Sequence, residues 1–70
     1  MEMETSMIEM IEEAYFETVN EALGREESAL TAHKEGVTAA SMLLVAMNGT
    51  EEDQARREVV AMGLRPGAQD

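Results

Sequence analysis

The chain has 70 residues, no cysteine and a net charge of −10 at pH 7. A chain this short folds as one domain with a thin core, and the absence of cysteine excludes disulfides and thiolate metal sites. The acidic balance argues against direct binding to nucleic acid, since phosphate recognition needs a clustered basic face.

The apolar content indicates a folded, aliphatic domain. It is 44%, which is too high for a disordered acidic tail. The N-terminus has neither the basic nor the apolar segment of a signal peptide. The longest mainly apolar run, residues 39–47, is shorter than the ~20 residues needed to cross a bilayer. We therefore expect a cytoplasmic protein without a membrane partner.

Gly24, Gly49 and Gly63 each follow a segment of helical apolar periodicity. Glycine just after a helix often adopts the left-handed conformation that caps it. The spacing predicts an all-α fold with three helices, at about 4–23, about 26–48 and about 51–62. We expect helices 1 and 2 to form a hairpin, with helix 3 folded across one end. We expect a single domain over residues 1–64 and a flexible tail at 65–70.

Helix 1 is predicted to carry opposite apolar and acidic faces. At about 100° per residue, the apolar face gathers Met7, Ile8, Ile11, Ala14, Tyr15, Thr18, Val19 and Ala22. The other face carries glutamates at steps of four: Glu9, Glu13, Glu17 and Glu21. A capping-box pattern at Ser6 and Glu9 offers an alternative start for the helix.

The two halves of helix 2 differ in pattern. The first half is amphipathic, with an apolar face made of Ala29, Leu30, Ala32, His33, Gly36, Val37 and Ala40. The second half, residues 39–47, is apolar on nearly every side, which predicts burial on every side. One 70-residue unit has little protein to cover it, so homodimerisation is expected. The residues expected at that contact are Met42, Leu43, Leu44, Val45 and Met47.

Gly36 permits two interpretations. Glycine costs about 1 kcal/mol relative to alanine inside a helix, so helix 2 could break there into two shorter helices. Alternatively, the small residues Ala32, Gly36 and Ala40 let another backbone approach closely. The neighbour would then be helix 1 or a second copy of helix 2.

Helix 3 has signals at both ends. Thr50 and Asp53 resemble a capping box, and acidic residues in the first turn suit the helix dipole. The apolar stripe consists of Ala55, Val59 and Met62. Gly63 is expected to cap the helix, with Leu64 folding back onto Val59.

The acidic face of helix 1 is the most unusual feature of the sequence. Residues 1–24 contain seven glutamates and no basic residue, and like charges at i,i+4 destabilise a helix. The face is either a docking surface for a basic protein or a solvated, solubilising surface. Phe16 and Leu23 lie at the edge of this acidic face. They are either the anchor of an interface or core residues that helix 3 or a second subunit covers.

Catalytic and metal-binding patterns are not apparent. The only histidine, His33, lacks the Glu-x-x-His spacing of carboxylate-bridged metal sites, and we expect it to be partly buried or to form a hydrogen bond at the rim of the core. No nucleophile–base arrangement or phosphate-binding glycine loop is present. Arg56 and Arg57 are expected to pair with acidic residues one turn earlier rather than to read DNA.

These observations favour a non-catalytic regulator or inhibitor without a cofactor. Its partner would be a protein with a basic surface, nucleic-acid-binding proteins among the candidates. The alternative is an assembly module whose main partner is a second copy of itself.

Overall fold

The computed structural model describes residues 5–67, which form three α-helices. They are α1 (Thr5–Gly24), α2 (Ala29–Asn48) and α3 (Glu52–Ala61). α1 and α2 pack as a hairpin, and α3 packs against α2. The predicted all-helical class and hairpin are confirmed, and the described part of the chain contains no strand. The expected helix start at position 4 lies outside the described residues.

The core lies where the two long helices meet. Each helix contributes apolar side chains at helical spacing, so that one face of each is removed from water. The buried apolar side chains are Ile11, Tyr15, Val19, Ala22, Ala32, Val37, Ala40, Leu44, Ala55 and Val59. The expected apolar faces are confirmed in outline, except that Ala29 and Leu30 in the first turn of α2 are exposed.

Gly36 brings α2 into close contact with α1. A methyl group at this position would lie 2.7 Å from Val19 Cγ2 and 2.8 Å from Tyr15 Cδ1, closer than carbon atoms pack in proteins. α2 runs through Gly36 without interruption, so the alternative of a break there is wrong. Because glycine has no side chain, α1 can approach α2 closely at this position. The resulting packing offsets the low helix propensity of glycine.

α1 ends in a Schellman motif displaced from the predicted glycine. The amide N–H of Glu27 donates to Ala22 O at 3.1 Å, and that of Glu26 donates to Leu23 O at 2.9 Å. Glu26 is consequently the left-handed residue, with φ of 66°. The expectation that Gly24 takes this conformation is wrong, because the carbonyl groups of the last turn are satisfied two residues later.

The glycine caps of the other two helices are confirmed. Gly49 has a φ of 69° and donates its amide N–H to Val45 O. Gly63 has a φ of 72° and donates to Val60 O at 3.1 Å. Leu64 packs against the core cluster, which includes Val59.

Two helix starts differ from the expectations. α2 begins after Ser28, whose hydroxyl accepts a hydrogen bond from the Thr31 N–H, so the predicted start at position 26 is three residues early. α3 has Glu51 at its N-cap without a side-chain bond. The Thr50 hydroxyl instead accepts from Asn48 Nδ2 at 3.2 Å, so the predicted capping box is wrong.

α3 covers only part of the apolar second half of α2. Leu44 is fully buried and Leu43 and Val45 are partly buried. Met42 and Met47 retain 63% and 40% exposure. A single chain therefore leaves uncovered the side of α2 that faces away from α1 and α3, and burial of that side by a second copy stays a prediction.

Candidate functional site

The acidic face of α1, defined by Glu9, Glu13, Glu17 and Glu21, lies on the side of the helix turned away from α2. All four side chains are exposed, and the buried residues of α1 occupy the opposite side. Steps of four residues in a helix of 1.5 Å rise place successive carboxylates about 6 Å apart along the axis. The four therefore form a continuous row of about 18 Å.

No ion pair among the described residues involves this row. The nearest cation in sequence, Arg25, forms ion pairs with Glu27 and Glu35. Arg25 also attracts Glu21, so the row presents negative charge without a nearby cation chiefly at Glu9, Glu13 and Glu17. Screening by salt would weaken a contact with a partner there.

Phe16 and Leu23 form an apolar edge beside the acidic face. Phe16 is half-buried, packs against the core and meets the Tyr15 ring edge-on with centroids 5.0 Å apart. Leu23 is 39% exposed. Phe16 therefore contributes to the core while keeping part of its surface accessible, and Leu23 extends that surface toward the end of α1.

A buried hydrogen bond links the two long helices. Tyr15 has no solvent exposure, and its hydroxyl lies 2.7 Å from His33 Nδ1. Burial raises the pKa of Tyr15, because it disfavours the phenolate. His33 is half-buried and satisfies the tyrosine hydroxyl, which agrees with the expected role for this histidine.

The residues expected to mediate self-association are not all on one surface. Leu44 lies inside the monomer core, and Leu43 and Val45 pack against it, so these side chains support the fold of a single chain. Met42 and Met47 remain exposed. A second copy could contact α2 through the two methionines, but not through Leu44 while this core is intact.

The outer face of α2 carries a shallow groove of about 330 Å³ around Met42. It is lined by Lys34, Glu35, Thr38, Ala39 and Met42. Between positions 5 and 67, no three histidine, aspartate or glutamate side chains converge as metal ligands would. Within the same range, no helix is both long enough and apolar enough to cross a bilayer.

The two arginines of α3 do not pair as expected. Arg56 and Arg57 are exposed, and the ion pairs of the described residues involve neither of them. Glu58 instead accepts a hydrogen bond from Gln54 Nε2 at 3.0 Å. The predicted pairs with the first turn of α3 are therefore wrong, since these carboxylates and guanidinium groups remain solvated, where such pairs gain little.

Two polar contacts were not predicted from the sequence. Arg25 joins Glu27 and Glu35 across the α1–α2 turn, and Tyr15 joins His33 across the helix interface. Both depend on how the helices are aligned in the hairpin. Only the apolar-face position of His33 gave a partial signal. No family model, curated protein or solved structure matches this chain.

Proposed function

We propose that the protein is a non-catalytic regulator or inhibitor that binds a basic surface of another protein through the acidic face of α1. The observation that carries the proposal is the row of four exposed carboxylates, none of which forms an ion pair with a described residue. A partner surface with lysine or arginine side chains at matching intervals would form ion pairs with these carboxylates. Proteins that bind nucleic acid carry such basic surfaces and are the favoured class.

The energetic argument rests on repulsion along the row. Each i,i+4 pair of like charges destabilises a helix by roughly 0.2–0.5 kcal/mol. The row contains three such pairs, namely Glu9–Glu13, Glu13–Glu17 and Glu17–Glu21. A basic partner relieves this repulsion on binding. The complementary charges also accelerate encounter, and that acceleration falls with ionic strength.

The apolar edge gives the same surface a less polar anchor. The accessible parts of Phe16 and Leu23 lie next to charged residues, and partly desolvated aromatic groups often dominate the binding energy of an interface. We therefore expect charge to set the rate and salt dependence of binding. Phe16 and Leu23 would contribute mainly to the lifetime of the complex.

The test is an affinity capture with a charge-reversed variant. The immobilised wild-type chain is compared with a variant carrying Glu9→Lys, Glu13→Lys and Glu17→Lys, at about 0.05 M and about 0.5 M salt, where screening differs strongly. Captured proteins are identified by mass spectrometry and titrated individually. The proposal predicts a basic partner that the wild type binds at low salt and that the variant does not bind.

A matched variant separates the acidic face from net charge. Glu26→Lys, Glu51→Lys and Glu52→Lys change the charge by the same amount at exposed positions away from that face. This control should retain the partner, and circular dichroism should show that both variants remain helical. Equal binding by the wild type and both variants would reject the acidic face as the docking surface.

A second candidate function is self-assembly through the outer face of α2. It is favoured by the exposed Met42 and Met47 and opposed by repulsion between two chains of charge −10. Light scattering at micromolar concentration tests it, with Met42→Asp as the disrupting variant. Met42→Asp leaves the core intact, unlike any change at Leu44. A wild-type chain that stays monomeric would eliminate this candidate.

A further inference from the structure

Asn48 and Gly49 lie where α2 ends and the connection to α3 begins. Asn48 is the last residue of α2, and both residues are exposed. Asparagine is thermolabile because the backbone nitrogen of the next residue can attack its side-chain carbonyl carbon. Glycine favours this attack, since it has no Cβ to obstruct the approach of its nitrogen. The dipeptide therefore combines the two residue types that react most readily in this way.

The folded structure holds both reacting groups in hydrogen bonds. The amide N–H of Gly49 donates to Val45 O at 2.9 Å, and Gly49 adopts the left-handed conformation, with φ of 69°. The side-chain amide of Asn48 donates from Nδ2 to Thr50 Oγ1 at 3.2 Å. The nitrogen that must attack is thus the donor that caps α2. The reaction requires this C-cap of α2 to open.

We propose that Asn48–Gly49 is a site of spontaneous deamidation whose rate is set by opening of the α2 C-cap when α3 separates from α2. Once the Gly49 N–H leaves Val45 O, the nitrogen loses its proton to solvent and attacks Asn48 Cγ. The Cγ–Nδ2 bond breaks, and ammonia departs after taking a proton from solvent. One water molecule then opens the five-membered succinimide at either carbonyl group. The product is aspartate or isoaspartate, so water is consumed, ammonia is released and no oxidant is needed.

The packing of α3 controls how often the cap opens. The connection between α2 and α3 contains only residues 49–51. α3 packs against α2 and buries Ala55 and Val59 in the shared core. So short a connection holds Gly49 in place only while both of its ends are anchored. Partial separation of α3 would release it at a lower free-energy cost than global unfolding.

Deamidation would change the end of α2 in two ways. Either product adds one negative charge near the last carbonyl groups of α2, where the helix dipole disfavours it. An ionised carboxylate also cannot donate to Thr50 as Asn48 Nδ2 does, and isoaspartate adds a methylene group to the backbone. The modification is therefore an irreversible, time-dependent change that weakens the junction of α2 and α3.

The test follows deamidation of the full chain over days in mildly alkaline buffer, with and without guanidinium chloride at a concentration that unfolds it. Peptide mapping by mass spectrometry measures the replacement of NH2 by OH at Asn48. Asn20 is the internal reference, because it precedes Glu21 within α1. We expect conversion at Asn48 in the folded chain, several-fold slower than in the unfolded chain, and slower conversion at Asn20 in both.

Two matched variants test the role of α3. Val59→Ala removes methyl groups from the buried side of α3, whereas Val60→Ala makes the same change at a side chain that is 58% exposed. Val59→Ala should accelerate conversion at Asn48 several-fold, and Val60→Ala should leave it at the wild-type rate. Circular dichroism would verify that both variants remain helical.

Three results would overturn the proposal. An Asn48 that converts in the unfolded chain but not in the folded chain would be inert in the native protein. Equal rates in the folded and unfolded chains would show that the C-cap exerts no control. Equal rates in the Val59→Ala and Val60→Ala variants would exclude α3 from the mechanism. The first two comparisons use the wild type alone and remain decisive if Val59→Ala does not fold.

Discussion

Gly36 shows how a single missing side chain sets the distance between two helices. Alanine would improve the helix propensity of α2 by about 1 kcal/mol. Its methyl group would, however, lie within 3 Å of Val19 and Tyr15, which are fully buried and cannot move aside freely. Overpacking of a core costs about 1–3 kcal/mol. The steric penalty should therefore exceed the gain in propensity.

We predict that Gly36→Ala lowers the free energy of unfolding by about 1 kcal/mol or more, measured by urea denaturation followed by circular dichroism. Gly24→Ala is the matched control, since a methyl group there meets nothing within 4 Å and Gly24 lies within the last turn of α1. That change should leave stability equal or raise it by up to about 1 kcal/mol. Equal effects at both positions would contradict the close approach.

Ser41 places an unsatisfied polar group in the core. Its hydroxyl is buried without a hydrogen-bond partner among the described residues, and an unsatisfied buried hydroxyl costs about 1–3 kcal/mol. We predict that Ser41→Ala raises the urea midpoint, because it removes the buried hydroxyl and favours the helix. Ser6→Ala, at an exposed position of α1, should show only the smaller propensity effect. A destabilised Ser41→Ala would indicate an unrecognised partner.

At the scale of the elements, the sequence predicted the helices better than their ends. Apolar periodicity is repeated along each helix, so three helices and two of the glycine caps were predictable. The end of α1 was not, because the chain continues past Gly24 and places Glu26 at the left-handed position. Similarly, Thr50 bonds to Asn48 instead of capping α3. Such ends depend on a few competing hydrogen bonds.

The turn between α1 and α2 contains a removable strain. Glu26 adopts φ of 66°, a conformation that costs a non-glycine residue roughly 1–2 kcal/mol. We predict that Glu26→Gly raises the free energy of unfolding by about 0.5–1 kcal/mol, less than the full strain because glycine loses more entropy on folding. Thermal denaturation would measure this change.

Glu26→Gln separates the backbone effect from charge. It removes the same negative charge but keeps the side chain that disfavours a positive φ. If the backbone carries the effect, Glu26→Gln should stabilise the protein less than Glu26→Gly. Equal stabilisation by both variants would assign the gain to charge and would contradict the strain at Glu26.

At the scale of the whole molecule, repulsion among the negative charges outweighs the few ion pairs. The chain has a charge of −10, and the acidic face of α1 forms no ion pair among the described residues. The screening length falls from about 30 Å at 0.01 M salt to about 8 Å at 0.15 M. Salt should therefore stabilise the folded chain.

We predict that the melting temperature rises between these two salt concentrations. The rise should be smaller in the variant with Glu9→Lys, Glu13→Lys and Glu17→Lys, since these changes replace repulsion along α1 with attraction. Differential scanning calorimetry would measure both. A melting temperature that falls with salt in the wild type would mean that favourable ion pairs, and not repulsion, dominate the charge distribution.

A candidate surface could be predicted from the sequence when it depends on residue spacing within one helix, but not when it depends on how two or three helices pack together. The exposure of Glu9, Glu13, Glu17 and Glu21 follows from spacing alone. The burial of Leu44 does not, because it depends on how α1 and α3 pack against α2, and the apolar pattern of one helix cannot show which sides are covered. The contacts of Arg25 with Glu27 and Glu35 likewise require the alignment of two helices.

The edge-on contact of Tyr15 with Phe16 has a spectroscopic consequence. The chain has no tryptophan and no other tyrosine or phenylalanine, and both rings belong to α1, with Tyr15 held against α2 through His33. Near-ultraviolet circular dichroism therefore reports on the α1–α2 contact and is insensitive to α3. Far-ultraviolet circular dichroism reports on all three helices. Comparing the two signals during denaturation would reveal whether α3 unfolds separately from the hairpin.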